Sequence, residues 1–186
     1  ITNNSTSTGN IFEAQDNGVS VFSVADGGAV VATGSVTVTG VLKGAGTTTS
    51  DSAAVGIIGE YVESVVGSAN VGTNQQYSDF TSISLTAGDW DVTGVAHLSR
   101  GGANWLDVSV GISVTSGNSG TGLVNGSNFV ETATLAQSAV YTIQTLVIPA
   151  YRISISSTTT VYLKGYLDYI SATPTRMARL SARRVR

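Results

Sequence analysis

The stretch Asp89-Trp-Asp-Val-Thr-Gly-Val-Ala-His-Leu98 alternates, with Trp90, Val92, Ala96 and Leu98 on one face and Asp89, Asp91, Thr93 and His97 on the other. A period of two marks a strand with one side in a core. The same pattern extends outward. In Trp105-Leu-Asp-Val-Ser-Val-Gly-Ile-Ser-Val114 the apolar set is Leu106, Val108, Val110, Ile112 and Val114, so Trp105, Asp107 and Ser109 are expected to point away from the core. Further strands are expected at 81–86, 139–148, 151–155, 160–170 and 180–185. Short strands separated by turns, with no amphipathic helix of useful length, predict an all-β sandwich or jelly-roll-like head over residues 55–186.

Upstream the pattern changes. Asn10-Ile-Phe-Glu-Ala-Gln-Asp-Asn-Gly18 is repeated by Ser20-Val-Phe-Ser-Val-Ala-Asp-Gly-Gly28: Phe12 matches Phe22, Asp16 matches Asp26 and Gly18 matches Gly28. Each block reads as a short strand closed by turn residues. A repeated strand-turn unit cannot cover its own apolar face, and with Cys 0 no disulfide can hold it. Other copies of the chain are the expected cover, which makes residues 1–54 a trimeric β-structured shaft and neck, with Phe12, Phe22 and Val24 in its seam. The glycine- and hydroxyl-rich segment from Gly44 to Ala54 is the expected neck.

Composition narrows the functional classes. Charged residues are 11% of the 186, against roughly 25% in typical soluble domains, and Gly reaches 22. The absence of cysteine excludes thiolate metal sites and thiol nucleophiles. No run approaches the roughly 20 apolar residues of a membrane-spanning helix, so no membrane insertion is expected. Neither a basic start nor an apolar stretch of a signal peptide opens the sequence, and the missing Met suggests a fragment. The net charge is −3, but Arg176, Arg179, Arg183, Arg184 and Arg186 hold most of the basic charge. The preceding residues balance at −8, which argues against nucleic-acid binding.

Three segments, Gly59-Glu-Tyr-Val-Glu-Ser, Leu85-Thr-Ala-Gly-Asp-Trp-Asp-Val-Thr-Gly and Tyr151-Arg-Ile-Ser-Ile-Ser-Ser-Thr-Thr-Thr-Val-Tyr-Leu-Lys, together with the closing Leu180-Ser-Ala-Arg-Arg-Val, resemble the C-terminal heads of tailed-bacteriophage tail fibres. The resemblance spans nearly all of residues 55–186. It implies a homotrimer in the virion, made in the host cytoplasm and joined to the rest of the fibre or baseplate through upstream sequence. A receptor-binding tip would take a bacterial surface polysaccharide, capsule or lipopolysaccharide, during adsorption. It carries over no catalytic motif and no cofactor. Two rivals are a capsule-degrading depolymerase, which needs a long β-helix with paired carboxylates, and a purely structural trimerisation cap.

Candidate residues can be weighed one by one. Asp89 and Asp91 share a face and could hold a divalent cation or act as acid and base, but no further ligands or cleft are visible, and a solvated or turn-capping role is favoured. His97 is the only histidine, which excludes multi-histidine metal sites. No metal and no catalytic residue is therefore assigned. For the receptor, the expected residues lie in loops at 67–76, 99–104 and 116–128: Trp105 as a stacking platform beside Arg100 and Asn104, together with Asn118, Asn125 and Asn128. Trp105 fits a subunit interface better. The stripe Tyr162, Lys164, Tyr166 and Asp168 lies opposite Val161, Leu163, Leu167 and Tyr169, and could bind carbohydrate or, the favoured reading, line the seam with Tyr162 and Tyr166. The terminal arginines either attract anionic polymer or, as favoured, pair with acidic groups of the same head.

Overall fold

The computed structural model describes residues 10–25, 28–37, 39, 52–133 and 143–186. The chain divides into two units, Ile1–Thr49 and Ser50–Arg186, a few residues before the expected boundary. Most of the expected neck lies outside the described residues.

In the first unit β1 (Asn10–Asp16), β2 (Val19–Ala25) and β3 (Val30–Ala32) form an antiparallel sheet in that order. Asn17 and Gly18 both have positive φ, 49° and 79°, the geometry of the two-residue turn that matches strand twist. Register sets Phe12 opposite Val24, Ala14 opposite Phe22, and Phe22 and Val24 opposite Ala32 and Val30. Cross-strand partners share a face, so all six apolar side chains line one side of the sheet. The Phe12 and Phe22 rings meet edge to face at 6.0 Å. They still expose 45% and 38% of their surface.

The second unit holds β4 (Tyr61–Asn70), β5 (Tyr77–Leu85), β6 (Gly88–Ser99), β7 (Asn104–Ser113), β8 (Phe129–Ala133), β9 (Ile143–Ile155), β10 (Thr159–Ile170) and β11 (Thr175–Arg184). They make two four-stranded antiparallel sheets, β5-β10-β7-β8 and β4-β11-β6-β9. Strands adjacent in sequence mostly fall in opposite sheets, the interleaved order of a jelly roll. Between the sheets lie Trp90, Val92, Ala96 and Leu98 of β6, Val108, Val110 and Ile112 of β7, Leu146 and Ile148 of β9, Val161, Leu163 and Leu167 of β10, and Leu180 of β11. Each fully buried large side chain contributes about 1.5–3 kcal/mol. Gly165 is required by this packing: a Cβ there would lie 2.0 Å from the Phe80 ring.

Trp105 corrects the sequence expectation. It is 5% exposed and belongs to the core. Asp107 faces Asp168 but Trp105 faces Tyr169, so one residue, Leu106, is extra on β7. Such a bulge shifts the side-chain alternation by one and turns Trp105 inward to the Leu167 side. Val114 lies beyond the end of β7 and is exposed rather than core. The strands expected at 139–148 and 151–155 are joined across Pro149 in β9, an edge strand whose free side tolerates proline. Residues 134–142 lie outside the described set. β8 falls where no strand is expected, and β4 runs on to Asn70, into the expected 67–76 loop.

The closing 180–185 segment packs on the 85–94 segment and on Glu60. Arg184 Nε donates to Glu60 Oε2 at 2.9 Å, its Nη1 to the Ala87 carbonyl at 2.7 Å and its Nη2 to Thr86 Oγ1 at 2.5 Å. The guanidinium lies 4.3 Å over the Trp90 ring, whose Nε1 donates to the Thr86 carbonyl. Gly88, at φ 143°, leaves room: a Cβ there would meet Arg184 Nη1 at 1.9 Å. Asp89 is 5% exposed, not solvated as expected, and accepts from Ser154, Arg152 and Arg186. The Ser154 hydrogen bond first, then the two cations, hold its pKa below the usual carboxylate range.

Candidate functional site

Two of the three loops expected to carry recognition are strapped to the outer face of β5-β10-β7-β8. Lys164, fully buried, donates to Asp79 Oδ1 at 2.8 Å and to the carbonyls of Thr115 and Gly117 at 3.0 and 2.6 Å. Its three protons are all used. Asp79 Oδ2 accepts from Ser116 Oγ and the Gly117 N–H. Burial alone would raise the Asp79 pKa, but these donors outweigh it and hold the carboxyl below its usual range.

The far half of the same loop is closed by Asn128. This side chain is 2% exposed, donates to the Ile112 and Gly122 carbonyls and accepts the Val124 N–H. Leu123 covers Gly111, where a Cβ would meet it at 2.5 Å, and Gly120 lies against the Tyr77 ring. The 71–76 loop is tied at the other end: Asn74 brackets the Tyr169 backbone, and Gln75 donates to the Leu167 carbonyl through its N–H and to Asp168 Oδ1 through its side chain.

Between the two loops a row of side chains crosses all four strands. Tyr77 on β5 faces Tyr166 on β10, Tyr166 faces Ser109 on β7, and Ser109 faces Glu131 on β8. Four strands at about 4.8 Å spacing make the row roughly 15 Å long. The tyrosine rings lie 5.3 Å apart, tilted at 47°. Beside the row Asp168 faces Asp107 directly, and the buried Oδ1 of Asp107 has no hydrogen-bond partner among the described residues. Burial raises the pKa of both phenols, and Asp107 adds to both, with Glu131 acting on Tyr77 and Asp168 on Tyr166. Ser109 pulls Tyr77 partly back by hydrogen bonding. The phenols therefore stay neutral, available as donor, acceptor and apolar ring.

The residues expected to bind a receptor are not assembled into one site. Trp105 is core. Arg100 is 8% exposed, closing the 99–104 turn on the Ala103 carbonyl and Asn104 Oδ1. Asn128 is consumed by the loop it holds. Asn104, Asn118 and Asn125 are exposed in separate segments. Tyr162, Tyr166 and Asp168 do share a face with Lys164 as expected, but Lys164 is sealed beneath the loop rather than offered to solvent. Sequence reading missed Tyr77 and Asp107 as neighbours of Tyr166 because only register brings β5 and β7 beside β10.

The terminal arginines are engaged within the head. Arg179 pairs with Glu63 at 3.0 Å, Arg184 with Glu60 and Arg186 with Asp89 at 2.6 Å. Arg183 lies over Tyr61, and Arg176 over Phe80 at 4.7 Å. Desolvation lowers the Arg176 pKa. His97 sits on the outer face of β6, hydrogen-bonded to Thr145 Oγ1. No group of three or more acidic or histidine side chains suited to a metal ion occurs among the described residues.

Fold and face together define a class: an all-β sandwich with a polar-aromatic row on one sheet, framed by two anchored loops. No protein-family model matches the chain, and no curated protein does.

Proposed function

We propose that the chain is the distal part of a homotrimeric bacteriophage tail fibre, carried in the virion, whose head binds a polysaccharide of the bacterial surface without cleaving it. The observation that carries the reading is the Tyr77–Tyr166–Ser109–Glu131 row. Aromatic faces stack on the apolar faces of sugar rings, and the two phenols with the flanking Glu131 and Asp168 carboxylates exchange hydrogen bonds with sugar hydroxyls, while the buried Ser109 spaces the row. Tyr166 is given to the receptor rather than to the subunit seam. A seam here would bring Asp107, Glu131 and Asp168 of several copies together, and like charges at an interface cost several kcal/mol.

Assembly falls to the first unit in this reading. The Phe12, Ala14, Phe22, Val24, Val30 and Ala32 face has no cover among the described residues, and a small sheet without one is marginal in water. Copies of the same hairpin supply it, and three heads side by side turn weak sites into useful avidity. The upstream end joins the rest of the fibre.

The test is binding of purified protein to bacterial cells and extracted surface polysaccharide, with polymer length followed over time. Cell labelling that Tyr77→Ala and Tyr166→Ala abolish, with polymer length unchanged, is expected. Shortened polymer overturns the binding-only reading, and failure to label any cell leaves a structural cap as the better account.

A further inference from the structure

Resting on the receptor reading above, we infer that the glycan this face takes is free of acidic groups. Charge in the head is segregated by sheet. Apart from the buried Lys164, no lysine or arginine occurs in β5, β7, β8 or β10, whereas Arg152, Arg176, Arg179, Arg183 and Arg184 all lie on β9 and β11 of the other sheet. Lys164 is spent on Asp79 and two carbonyls. Asp107, Glu131 and Asp168 around the tyrosine pair are therefore without a cation on their own sheet.

Most cations of the opposite sheet are matched by carboxylates of that same sheet. Arg179 and Arg184 pair with Glu63 and Glu60, Arg152 and Arg186 both pair with Asp89, and Asp91 stands across from Arg183 on one side and Arg152 on the other, while Arg176, with no ion pair among the described residues, is turned over the buried Phe80 ring. A uronic-acid or phosphate group approaching the row would meet three carboxylates within about one Debye length, with one acceptor, Asp107 Oδ1, already lacking a donor among the described residues. Hydroxyl, N-acetyl amide or ammonium groups bring the donors that such a surface lacks. The two phenols supply stacking for the sugar ring itself, which is indifferent to charge. Ligand choice follows from the mismatch: a face rich in acceptors and poor in cations admits donors and rejects acids.

The experiment is a printed array of bacterial surface polysaccharides of known composition, acidic and non-acidic, probed with the full chain, with Tyr166→Ala and with the double variant E131Q/D168N. The expected bound spots are non-acidic, lose roughly tenfold or more with Tyr166→Ala, and keep their signal as salt rises. On E131Q/D168N acidic spots should gain about tenfold relative to non-acidic ones. Binding confined to uronate- or phosphate-bearing spots, weakened by salt and sensitive to Tyr166→Ala, overturns the inference while leaving the receptor reading intact. Bound spots that ignore Tyr166→Ala overturn the placement of the site. An array with no bound spot overturns the receptor reading, and the inference falls with it.

Discussion

Arg184→Met should damage the head more than any other surface-proximal change. The guanidinium is almost buried, as is Glu60, with 5% and 7% of the side chains exposed. Removing it leaves the Glu60 carboxylate with the Gly56 N–H at 2.8 Å as its remaining described donor, and strips the Ala87 carbonyl and Thr86 hydroxyl of a partner. Breaking one side of a buried pair costs about 3–5 kcal/mol, because the surviving charge has no compensation. The lost Trp90 contact adds about 1–2 kcal/mol, not strictly additive. For a domain between the small and large size classes each kcal/mol lowers Tm by roughly 4 °C, so the combined loss of about 4–7 kcal/mol corresponds to a fall of ~16–28 °C. Urea unfolding followed by tryptophan fluorescence reads it directly, since Trp90 lies under the lost group. The companion variant is E60M/R184M. Replacing both partners by apolar groups is often neutral or stabilising, so the double change should recover at least half of the single loss. A single variant within about 1 kcal/mol of wild type, or a double variant as unstable as the two singles summed, would refute the reasoning.

Three further outcomes are expected. Trp105→Ala should lose about 3–5 kcal/mol of stability through a core cavity, with binding per folded molecule unchanged; weaker binding at unchanged stability would restore the surface role. Gly165→Ala forces a Cβ into the Phe80 ring, and about 1–3 kcal/mol of overpacking strain should appear in the same unfolding measurement. Asp79 has a depressed native pKa, so its contribution is complete above the unfolded value near 3.8 and disappears as pH falls through the lower native one. The stability gap between wild type and Asp79→Asn should thus be flat from about pH 5 to 7 and close below about pH 4; a gap that persists undiminished to about pH 2 would rule this out.

The strand alternation was legible where a strand is regular and faces one core. Trp90, Val92, Ala96 and Leu98 are all fully buried, as their period predicts. The Asp-Asn-Gly turn between Phe12 and Phe22 was equally readable, since left-handed backbone leaves a residue-type signature. The expected internal pairing of the terminal arginines holds for Arg179, Arg184 and Arg186 but not for Arg176 and Arg183, which form no ion pair among the described residues, and the particular partners, such as Glu60 more than a hundred residues away, are not readable. Residues 61–70 escaped because Val65-Val-Gly67 breaks the alternation at the edge of a sheet. Alternation places Trp105 on the wrong side for a related reason: a single bulged residue inverts every side chain beyond it, and nothing local in Trp-Leu-Asp marks the bulge.

What the sequence by itself determined was the class of structure, all-β with a repeated strand-turn unit before a sandwich, because period-two patterning and turn chemistry are properties of neighbouring residues. What only the tertiary structure decided was which side chains stand together. Tyr77, Tyr166, Ser109 and Glu131 come from four strands spread over the chain, and their meeting depends on interstrand register. Whether Lys164 is offered to solvent or sealed depends on the loop folded over it, and the separation of arginines from unmatched carboxylates depends on which strands share a sheet. Register, loop closure and sheet partnership are set by long-range packing, which leaves no local mark in the order of residues.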